Sequence, residues 1–525
     1  MRRLLGSPYS SCFLRPRKTV GMLALAVWLL GLPADADVRL PGLFTDHLVL
    51  QRGKPLPVWG WADPGERVIV HFRKQTATTT ASPDGEWRVT LRPEKIGKPS
   101  VLRVSGRNTI EIRDVLVGEV WICSGQSNME WPLSASHDAA AAIASSANPR
   151  IRLFTVPKHR SETAQVDVPA RWEVCAPGTV PRFSAVGYYF GRALQRERQV
   201  PVGLINTSWG GSPAEVWVSP ERLGQDPEYR RDILESYPPA RARHDQAVAR
   251  WEQERDAAKA AGAKFDKARP REPWRPTELF LGMIAPLVPY AVQGAIWYQG
   301  ESNVGRAAQY RRLFADLILD WRAAWGQKDF TFLAVELAPW DKNRKRPLDV
   351  ITATPVESDW AELREAQGYV ARTLPQVGLA VITDVGDKDD IHPTKKTPVG
   401  ERLALAARVL AYGERVHGLS PVFRSATFGD GKAMVRFDRV GRGLEARGGE
   451  LTGFAIAGAD RKFVWARAEI RGKDTIEVFH PSVKEPVAVR FGWADYPVVN
   501  LYSRGGLPVS PFRTDTFPVT VAPGR

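Results

Sequence analysis

The sequence predicts an α/β protein with a central parallel sheet, flanked by β-rich segments at both ends. Hydrophobic residues alternate with polar ones before residue 115 and again after residue 415, as in half-buried strands. Between these segments, strands that are apolar throughout alternate with amphipathic helices, which is typical of a parallel sheet covered on both faces. A chain of 525 residues also exceeds one hydrophobic core, so several domains are expected.

Residues 1–36 have the pattern of a signal peptide. Five basic residues precede the apolar run Val20–Leu32, and the small residues of Ala34–Ala36 suit a cleavage site. We therefore expect a mature start near Asp37 and a secreted or periplasmic protein; an uncleaved anchor is the alternative. No later run is long and apolar enough to span a membrane, so no stable span is expected after cleavage.

Charge and cysteine content indicate whether the chain binds nucleic acid, forms a disulfide or holds a metal ion. Removing residues 1–36 takes away five basic residues and Asp35, which lowers the formal net charge from +15 to +11. The remaining basic residues are scattered rather than clustered, so we expect a solvated basic surface and no nucleic-acid partner. Cys123 and Cys175 could form a disulfide or stay as buried thiols. No cysteine or histidine spacing indicates a metal site.

Residues 37–114 are predicted to form an N-terminal β domain. In "ERVIVHF", Val68, Val70 and Phe72 alternate with their neighbours, and "GEWRVTL" alternates in the same way. The "SPDG" segment between them, residues 82–85, predicts a turn.

Residues 115–415 are predicted to form a flavodoxin-like three-layer domain. Five apolar strands are expected at 115–124, 200–209, 292–300, 330–337 and 377–386. The run "QYRRLFADLILDWRAAWG" predicts a helix whose apolar face comprises Tyr310, Leu313, Phe314, Leu317 and Trp321. A second helix, "VGERLALAARVLAYG", is expected to end at Gly413 as its C-cap. A charged stretch predicts a helical insertion at about 221–280, and a C-terminal β domain is expected over 416–525.

Polar residues follow four of the five predicted strands. Ligands of open parallel sheets bind beyond the carboxyl ends of the strands, so these residues are expected to meet at one edge. They lie in "SGQSNM", "SWGGS", "QGESN" and "DVGDKDDIHP".

This edge can supply the groups that acyl transfer requires. Ser127 is the candidate nucleophile, and His392 is the candidate base. Asp390 or Asp389 would orient the imidazole. The alternatives are a serine favoured by its turn and a surface histidine stiffened by Pro393.

The oxyanion donors would be three groups: the Ser127 amide, an amide from Gly210 or Gly211, and a side-chain amide from Gln299 or Asn303. The Gly-Gln-Ser-Asn-Met order lacks the G-x-S-x-G pattern, which argues against the α/β-hydrolase elbow.

With these residues identified, the chain resembles the sialate O-acetylesterase family, a branch of the SGNH-type serine esterases. The resemblance rests on "GEVWICSGQSNMEWPL", "GLINTSWGGSPAEVW", "AIWYQGESN" and "DIHPTKKTPVGERLA", in that order. It covers roughly residues 115–413 and implies an SGNH hydrolase fold. It also implies a serine esterase that removes O-acetyl groups from carbohydrate, without metal or nucleotide cofactor.

The resemblance also implies roles for individual residues. The nucleophile falls on Ser127, the histidine on His392 and the acid on Asp390. Related enzymes more often carry the acid three residues before the histidine, which here is Asp389. The side-chain amide falls on Gln299, with Asn303 as its rival.

The expected substrate is an acetylated sugar or glycan, with O-acetylated sialic acid first. Acetylated xylan is the alternative substrate, and a catalytically inactive carbohydrate-binding protein is the alternative class. Asn128, Trp131 and Glu301 are expected to contact the substrate, with Trp131 stacking on a sugar ring. For Glu301 the alternative is a buried carboxylate that binds loop amides.

Overall fold

The computed structural model describes residues 37–328, 330–343 and 345–518. The expected signal peptide lies outside these residues. Strands and helices are numbered here in chain order. The strands are β1 Val49–Gln51, β2 Leu56–Trp61, β3 Arg67–Phe72, β4 Gln75–Thr80, β5 Glu86–Leu91, β6 Ser100–Ser105, β7 Thr109–Gly125, β8 Asn148–Thr155, β9 Trp172–Cys175, β10 Val202–Asn206, β11 Gly294–Tyr298, β12 Thr331–Val335, β13 Val377–Ala380, β14 Val422–Gly429, β15 Lys432–Asp438, β16 Leu444–Ala446, β17 Phe454–Ala457, β18 Val464–Trp465, β19 Arg467–Arg471, β20 Thr475–Phe479, β21 Ala488–Phe491, β22 Leu501–Ser503 and β23 Phe512–Arg513.

The α-helices are α1 Ser127–Glu130, α2 Ala139–Ala144, α3 Ala185–Arg198, α4 Pro220–Gln225, α5 Pro227–Tyr229, α6 Tyr237–Ala260, α7 Ala307–Trp325, α8 Leu348–Thr352, α9 Asp359–Thr373 and α10 Thr397–Leu410. Short 3-10 helices are Leu133–Ala135, Val180–Arg182, Ala214–Trp217, Ala285–Leu287 and Glu301–Asn303. The π-helical turns are Arg230–Leu234 and Phe280–Ile284.

A mostly parallel sheet lies at the centre of the fold, in the order β13-β12-β11-β7-β10-β8-β9. The strands from β13 to β8 are parallel to their neighbours, and β9 runs antiparallel at one edge. The five strands predicted from the sequence correspond to β7, β10, β11, β12 and β13. The predicted α/β class with a central parallel sheet and β-rich flanks is confirmed.

Strand β8 was not predicted, because its sequence contains a charge that the fold buries. Arg152 lies within β8 and is 2% exposed. Its guanidinium donates to the Asp114 carboxylate at 2.6 Å and to the carbonyl of Pro149 at 2.9 Å. A buried arginine is tolerated only when such partners satisfy it, and these partners cannot be inferred from the strand's own sequence.

Helices cover both faces of the sheet. Alternate residues of β7 divide between two hydrophobic clusters: Val120 and Ile122 belong to one, Trp121 and Cys123 to the other. The first cluster includes residues of α7 and α9, and the second includes residues of α3 and α10. Since neighbouring residues of a strand point to opposite faces, these helix pairs form the outer layers.

The two predicted helices are present with the expected buried faces. All five apolar residues named for the first are buried in α7, which ends with Gly326 in the left-handed conformation, φ 62°. Helix α10 ends at Leu410 with Ala411 as its C-cap, two residues before the predicted Gly413. Gly413 has φ 65°, and its N–H donates to the carbonyl of Val409 at 3.1 Å. Glycine adopts this conformation without steric cost, which suits it to capping a helix.

The N-terminal β region and the central sheet share strand β7. Its first part pairs with β6 antiparallel, residues 116–118 pair with β1, and residues 119–125 pair with β10 and β11. The predicted boundary between residues 114 and 115 therefore falls inside one continuous strand. The described residues belong to one compact unit.

The remaining segments are mainly peripheral. Within the predicted insertion, α6 has no buried residue. The C-terminal strands form the sheets β14-β15-β20-β19 and β18-β17-β21-β23 and the pair β16-β22.

Cys123 and Cys175 are buried free thiols, so the expected alternative of a disulfide is wrong. Within the described part of the chain, none of the helices has the length and apolar character needed to cross a membrane.

Candidate active site

A sharp turn at the end of β7 presents Ser127. Gly125, the last residue of β7, pairs with Tyr298 of β11 and has φ 133°. The N–H of Gln126 donates to the carbonyl of Tyr298 at 2.9 Å, and α1 begins at Ser127. Because glycine lacks a Cβ, the chain can approach β11 closely and still turn into a helix.

Ser127 and His392 are in contact although 265 residues separate them in sequence. The Oγ of Ser127 lies 2.8 Å from Nε2 of His392. The other ring nitrogen, Nδ1, lies 3.5 Å from Oδ1 of Asp390, and the same oxygen accepts the His392 backbone N–H at 2.9 Å. Trp131 stacks on the imidazole with a centroid distance of 5.2 Å and an interplanar angle of 19°.

The two candidate aspartates face different partners. Asp390 is the carboxylate beside the imidazole. Asp389 instead accepts the backbone N–H of Lys345 at 2.7 Å and the ammonium of Lys388 at 2.5 Å. These contacts lower the pKa of Asp389, with the Lys388 hydrogen bond as the main cause. The contacts of Asp389 are therefore with Lys345 and Lys388 and not with His392.

The environment of His392 favours its neutral form. Burial lowers the pKa of His392, and the nearby positive charge of Lys396 acts in the same direction. The Asp390 carboxylate opposes both effects. A neutral imidazole whose Nε2 faces a hydroxyl can accept its proton.

Asn128 follows Ser127 in the chain and is fully buried. Its amide donates to Oε1 of Glu301 at 2.6 Å and to the carbonyl of Ile391 at 3.0 Å, and its oxygen accepts from Lys396 Nζ at 2.5 Å. The expectation that Asn128 contacts substrate is therefore not met. Its side chain instead links the turn that carries Ser127 to Ile391, the residue that precedes His392.

Glu301 and Lys396 are the charged members of this buried network. Burial raises the pKa of Glu301 and lowers that of Lys396 to about 7. The Glu301 Oε2 atom is buried and has no hydrogen-bond partner among the described residues. The Glu301 carboxylate thus faces Asn128 rather than the cleft at Ser127, which differs from the expected substrate contact and agrees with the buried alternative.

The backbone of Gly210 lies against Ser127. A Cβ placed on Gly210 would lie 3.3 Å from the Ser127 Cβ, and the Gly210 N–H donates to Oε2 of Glu130 at 2.5 Å. Gly211, with φ 77°, has no neighbouring atom within 4 Å of such a Cβ. Gly210 is therefore the glycine next to Ser127. The Ser127 N–H makes no hydrogen bond to another described residue.

The side-chain amides of Gln299 and Asn303 are fully buried and already bonded. Gln299 Nε2 donates to Asn303 Oδ1 at 2.6 Å and to the carbonyl of Ser212 at 3.3 Å. Asn303 Nδ2 donates to Glu215 Oε2 at 2.9 Å. Neither side chain lines the cleft at Ser127, so the structure does not place the expected amide donor there.

A cleft of about 440 Å³ opens in front of Ser127 and His392. Nine of its twelve lining residues were not among the candidates from the sequence, and they include Glu130, Lys158, Arg182, Asn206 and Ser208. Trp131, which was expected to stack on a sugar ring, also lines it. Among residues 37–328, 330–343 and 345–518, no group of three or more His, Cys, Asp or Glu side chains could hold a metal ion.

Asn206 brings a side-chain amide to this cleft. Its Oδ1 accepts from the Ser208 N–H at 3.3 Å and from the Ser208 hydroxyl at 2.7 Å, which fixes the orientation of the amide. Its Nδ2 has no acceptor among the described residues. The available signal was its place as the last residue of β10, directly beside Cys123 of β7.

Comparisons with known proteins agree with this architecture. Residues 117–265 and 273–408 match the family described as carbohydrate esterase, sialic acid-specific acetylesterase. Mouse sialate O-acetylesterase is 27% identical over 92% of this chain and 94% of its own, and the human enzyme is 30% identical over 75% of each. A carbohydrate acetylesterase from Xanthomonas citri is 40% identical with a TM-score of 0.78, covering 91% of this chain and 100% of that chain.

The fold and these matches define a carboxylic ester hydrolase of the carbohydrate esterase class. The matched family residues span more than half of the chain and include both Ser127 and His392. The chain belongs to the sialic acid-specific acetylesterase family of carbohydrate esterases.

Proposed function

We propose that the protein removes O-acetyl groups from O-acetylated sialic acid through an acetyl-enzyme formed on Ser127. The observation that carries this proposal is the 2.8 Å distance between the Ser127 Oγ and the His392 Nε2. It is within the range in which a base can take a proton from a hydroxyl. The names of the mouse and human relatives support sialic acid as the substrate.

The reaction begins with attack on the acetyl carbonyl. His392 takes the proton from Ser127 as Oγ bonds to the carbonyl carbon, and the carbonyl oxygen becomes an oxyanion. When the intermediate collapses, the bond from carbon to the sugar oxygen breaks, and His392 returns the proton to that oxygen. Water then attacks the acetyl-serine with His392 as base, and acetate leaves as Ser127 recovers its proton. Asp390 orients the imidazole throughout.

Three N–H groups are proposed to stabilise the oxyanion: the Ser127 amide, the Gly210 amide and the Asn206 Nδ2 group. The Gly210 N–H donates to a carboxylate oxygen of Glu130 at 2.5 Å, which indicates that this amide can donate to a negatively charged oxygen. During the reaction the oxyanion takes this place, and Glu130 turns to Lys158, with which it already pairs at 2.5 Å. Loss of one such donor typically costs about 10²–10³-fold in rate.

We also assign the catalytic part of the chain to the flavodoxin-like SGNH hydrolases. In chain order, the five predicted strands have the spatial order 2-1-3-4-5, as in flavodoxin-like sheets. The switch point lies where β7 separates β10 from β11, and Ser127 follows β7. This position is where such sheets bind their ligands.

Secretion or export to the periplasm is proposed from residues 1–36. Mass spectrometry of the protein from its native host should then find a mature N-terminus near Asp37. A full-length N-terminus on the purified protein would contradict this proposal.

The test of the mechanism is the Ser127→Ala variant. It should release no acetate above background from p-nitrophenyl acetate or from O-acetylated N-acetylneuraminic acid, while its unfolding transition stays unchanged. Ser134→Ala is the matched control, because Ser134 is exposed and lies only seven residues further on. Wild-type turnover by Ser127→Ala would end the serine mechanism. Release of acetate from acetylated xylan, with none from the sialic acid, would replace the proposed substrate.

A further inference from the structure

The cleft at Ser127 has one cationic side chain without an anionic partner. Lys158 and Arg182 both line it. The Lys158 ammonium is paired with Glu130 at 2.5 Å. Within the described residues, no carboxylate lies within ion-pair distance of the Arg182 guanidinium, and its side chain is exposed. The charge of Arg182 is therefore available to a ligand in the cleft.

The backbone that carries Arg182 is fixed to the segment that carries the nucleophile. Arg182 ends the 3-10 helix Val180–Arg182. The carbonyl of the next residue, Phe183, accepts the Leu133 N–H at 2.9 Å, and the Ala185 N–H donates to the Trp131 carbonyl at 2.9 Å.

A side-chain contact strengthens this link. The Ser184 hydroxyl donates to the carbonyl of Met129 at 2.6 Å. Met129 lies in α1, two residues after Ser127. These hydrogen bonds keep the Arg182 backbone at a constant position relative to Ser127, as a specific ligand contact requires.

We propose that Arg182 forms a carboxylate-binding subsite, which receives the acid group of a substrate whose acetyl ester lies at Ser127. Guanidinium binds carboxylate through two parallel hydrogen bonds, and this geometry selects carboxylate over neutral groups. The inference rests on the proposed function and deepens it. It explains how a carboxylated sugar is distinguished from a neutral acetylated sugar in the same cleft.

The expected effect is on binding rather than on the chemical step. The carboxylate of sialic acid is remote from its acetylated hydroxyl groups, so it makes the same contact before and during the reaction. A contact of this kind lowers KM and leaves kcat nearly unchanged. Hydrogen bonds to charged groups correspond to roughly 10- to 100-fold in affinity, with the lower end expected for an exposed arginine.

The experiment compares O-acetylated N-acetylneuraminic acid with its methyl ester at carbon 1, in which the charge is removed. Both are assayed with the wild type, Arg182→Gln and Arg243→Gln, and p-nitrophenyl acetate reports the state of the catalytic groups. Arg243 is an exposed arginine on α6 and serves as the matched control.

The wild type and Arg243→Gln should prefer the free acid by about 10-fold in kcat/KM, through KM, and the preference should shrink as salt is raised. Arg182→Gln should hydrolyse both forms equally and retain wild-type turnover of p-nitrophenyl acetate. An unchanged preference for the free acid in Arg182→Gln, or equal use of both forms by the wild type, would overturn the subsite alone. If the wild type hydrolyses p-nitrophenyl acetate but neither sialic acid, the proposed substrate fails, and the subsite fails with it.

Discussion

Replacing Gly125 by alanine should damage the active site without altering any group that takes part in the reaction. Gly125 ends β7, two residues before Ser127, and its backbone φ of 133° is one that residues with a side chain rarely adopt. An ideal Cβ at this position would lie 2.2 Å from the carbonyl oxygen of Tyr298. That oxygen also accepts the N–H of Gln126, so it cannot move without disturbing the turn.

The size of the effect follows from this contact. Real Cβ atoms are essentially never closer than 3.0 Å to such an atom, so β7 and β11 would have to separate by about 0.8 Å. Overpacking and an unfavourable φ cost about 1–3 kcal/mol each, which predicts a loss of about 2–6 kcal/mol in unfolding free energy. A displacement of Ser127 by nearly 1 Å should lower the rate by about 100-fold.

Two measurements test this prediction. Urea unfolding gives the change in stability, and p-nitrophenyl acetate hydrolysis below the unfolding transition gives the change in kcat/KM. Gly178→Ala is the control, because a Cβ there would meet no atom within 4 Å and its φ is not positive. A Gly125→Ala variant with the stability and turnover of the control would refute the reasoning that close approach to β11 positions Ser127.

Four further outcomes are expected. Asp390→Asn should lower kcat by about 10²–10⁴-fold, because the carboxylate no longer orients the imidazole. Asp389→Asn should retain most activity. If steady-state kinetics show the reverse ranking, the two aspartates exchange their proposed roles. The acid limb of the pH profile of kcat/KM should lie below about pH 6.5, because burial lowers the pKa of His392 and keeps it unprotonated in weak acid. Lys396→Met removes a charge that lowers this pKa, so the limb should move to higher pH; a limb that stays in place would remove Lys396 from the electrostatics of the site. Asn128→Ala should lower kcat more than it raises KM and reduce the unfolding free energy by about 2–5 kcal/mol, because it leaves buried polar groups unpaired. Denaturant unfolding that shows wild-type stability would contradict that prediction.

Hydrophobic periodicity was enough to predict five of the six parallel strands and two of the four helices that cover the sheet, α7 and α10. The buried faces of α7 and α10 follow the spacing of their apolar residues, since a helix packs the same side along its length. Strand β8 could not be found in this way, because the polar partners of Arg152 come from distant segments. The pattern also divides β7 into an alternating part and a continuously buried part, which looks like two strands although it is one.

The sequence also indicated which loops meet at the site, because the carboxyl ends of parallel strands share one edge. It could not show where each side chain points. The Asp387 carboxylate accepts the N–H groups of Asp389 and Asp390, at 2.9 Å and 3.2 Å, and this turn directs one aspartate to lysines and the other to His392. The conformation of such a turn depends on the whole loop. Sequence spacing therefore left two candidates for the partner of His392: Asp389, three residues before it, and Asp390, two residues before it.

The sequence also could not show the orientation of the side-chain amides near the site. Gln299 and Asn303 bond to each other within the protein, while Asn206 turns its amide to the cleft because Ser208 holds the opposite end. These choices are set by pairs of side chains that meet only in the folded chain. Residue type alone identified candidate amides but not the one that lines the cleft at Ser127.

The continuity of β7 limits how this protein could be shortened or recombined. A fragment that begins at residue 115 would lose β1, which pairs with Leu116–Gly118, and would expose a strand edge that is normally covered. Unprotected edges of this kind recruit other chains and lead to aggregation. Residues 109–118 thus belong to the same strand that leads to Ser127, and functional gene fusions should retain the chain from Asp37 onward.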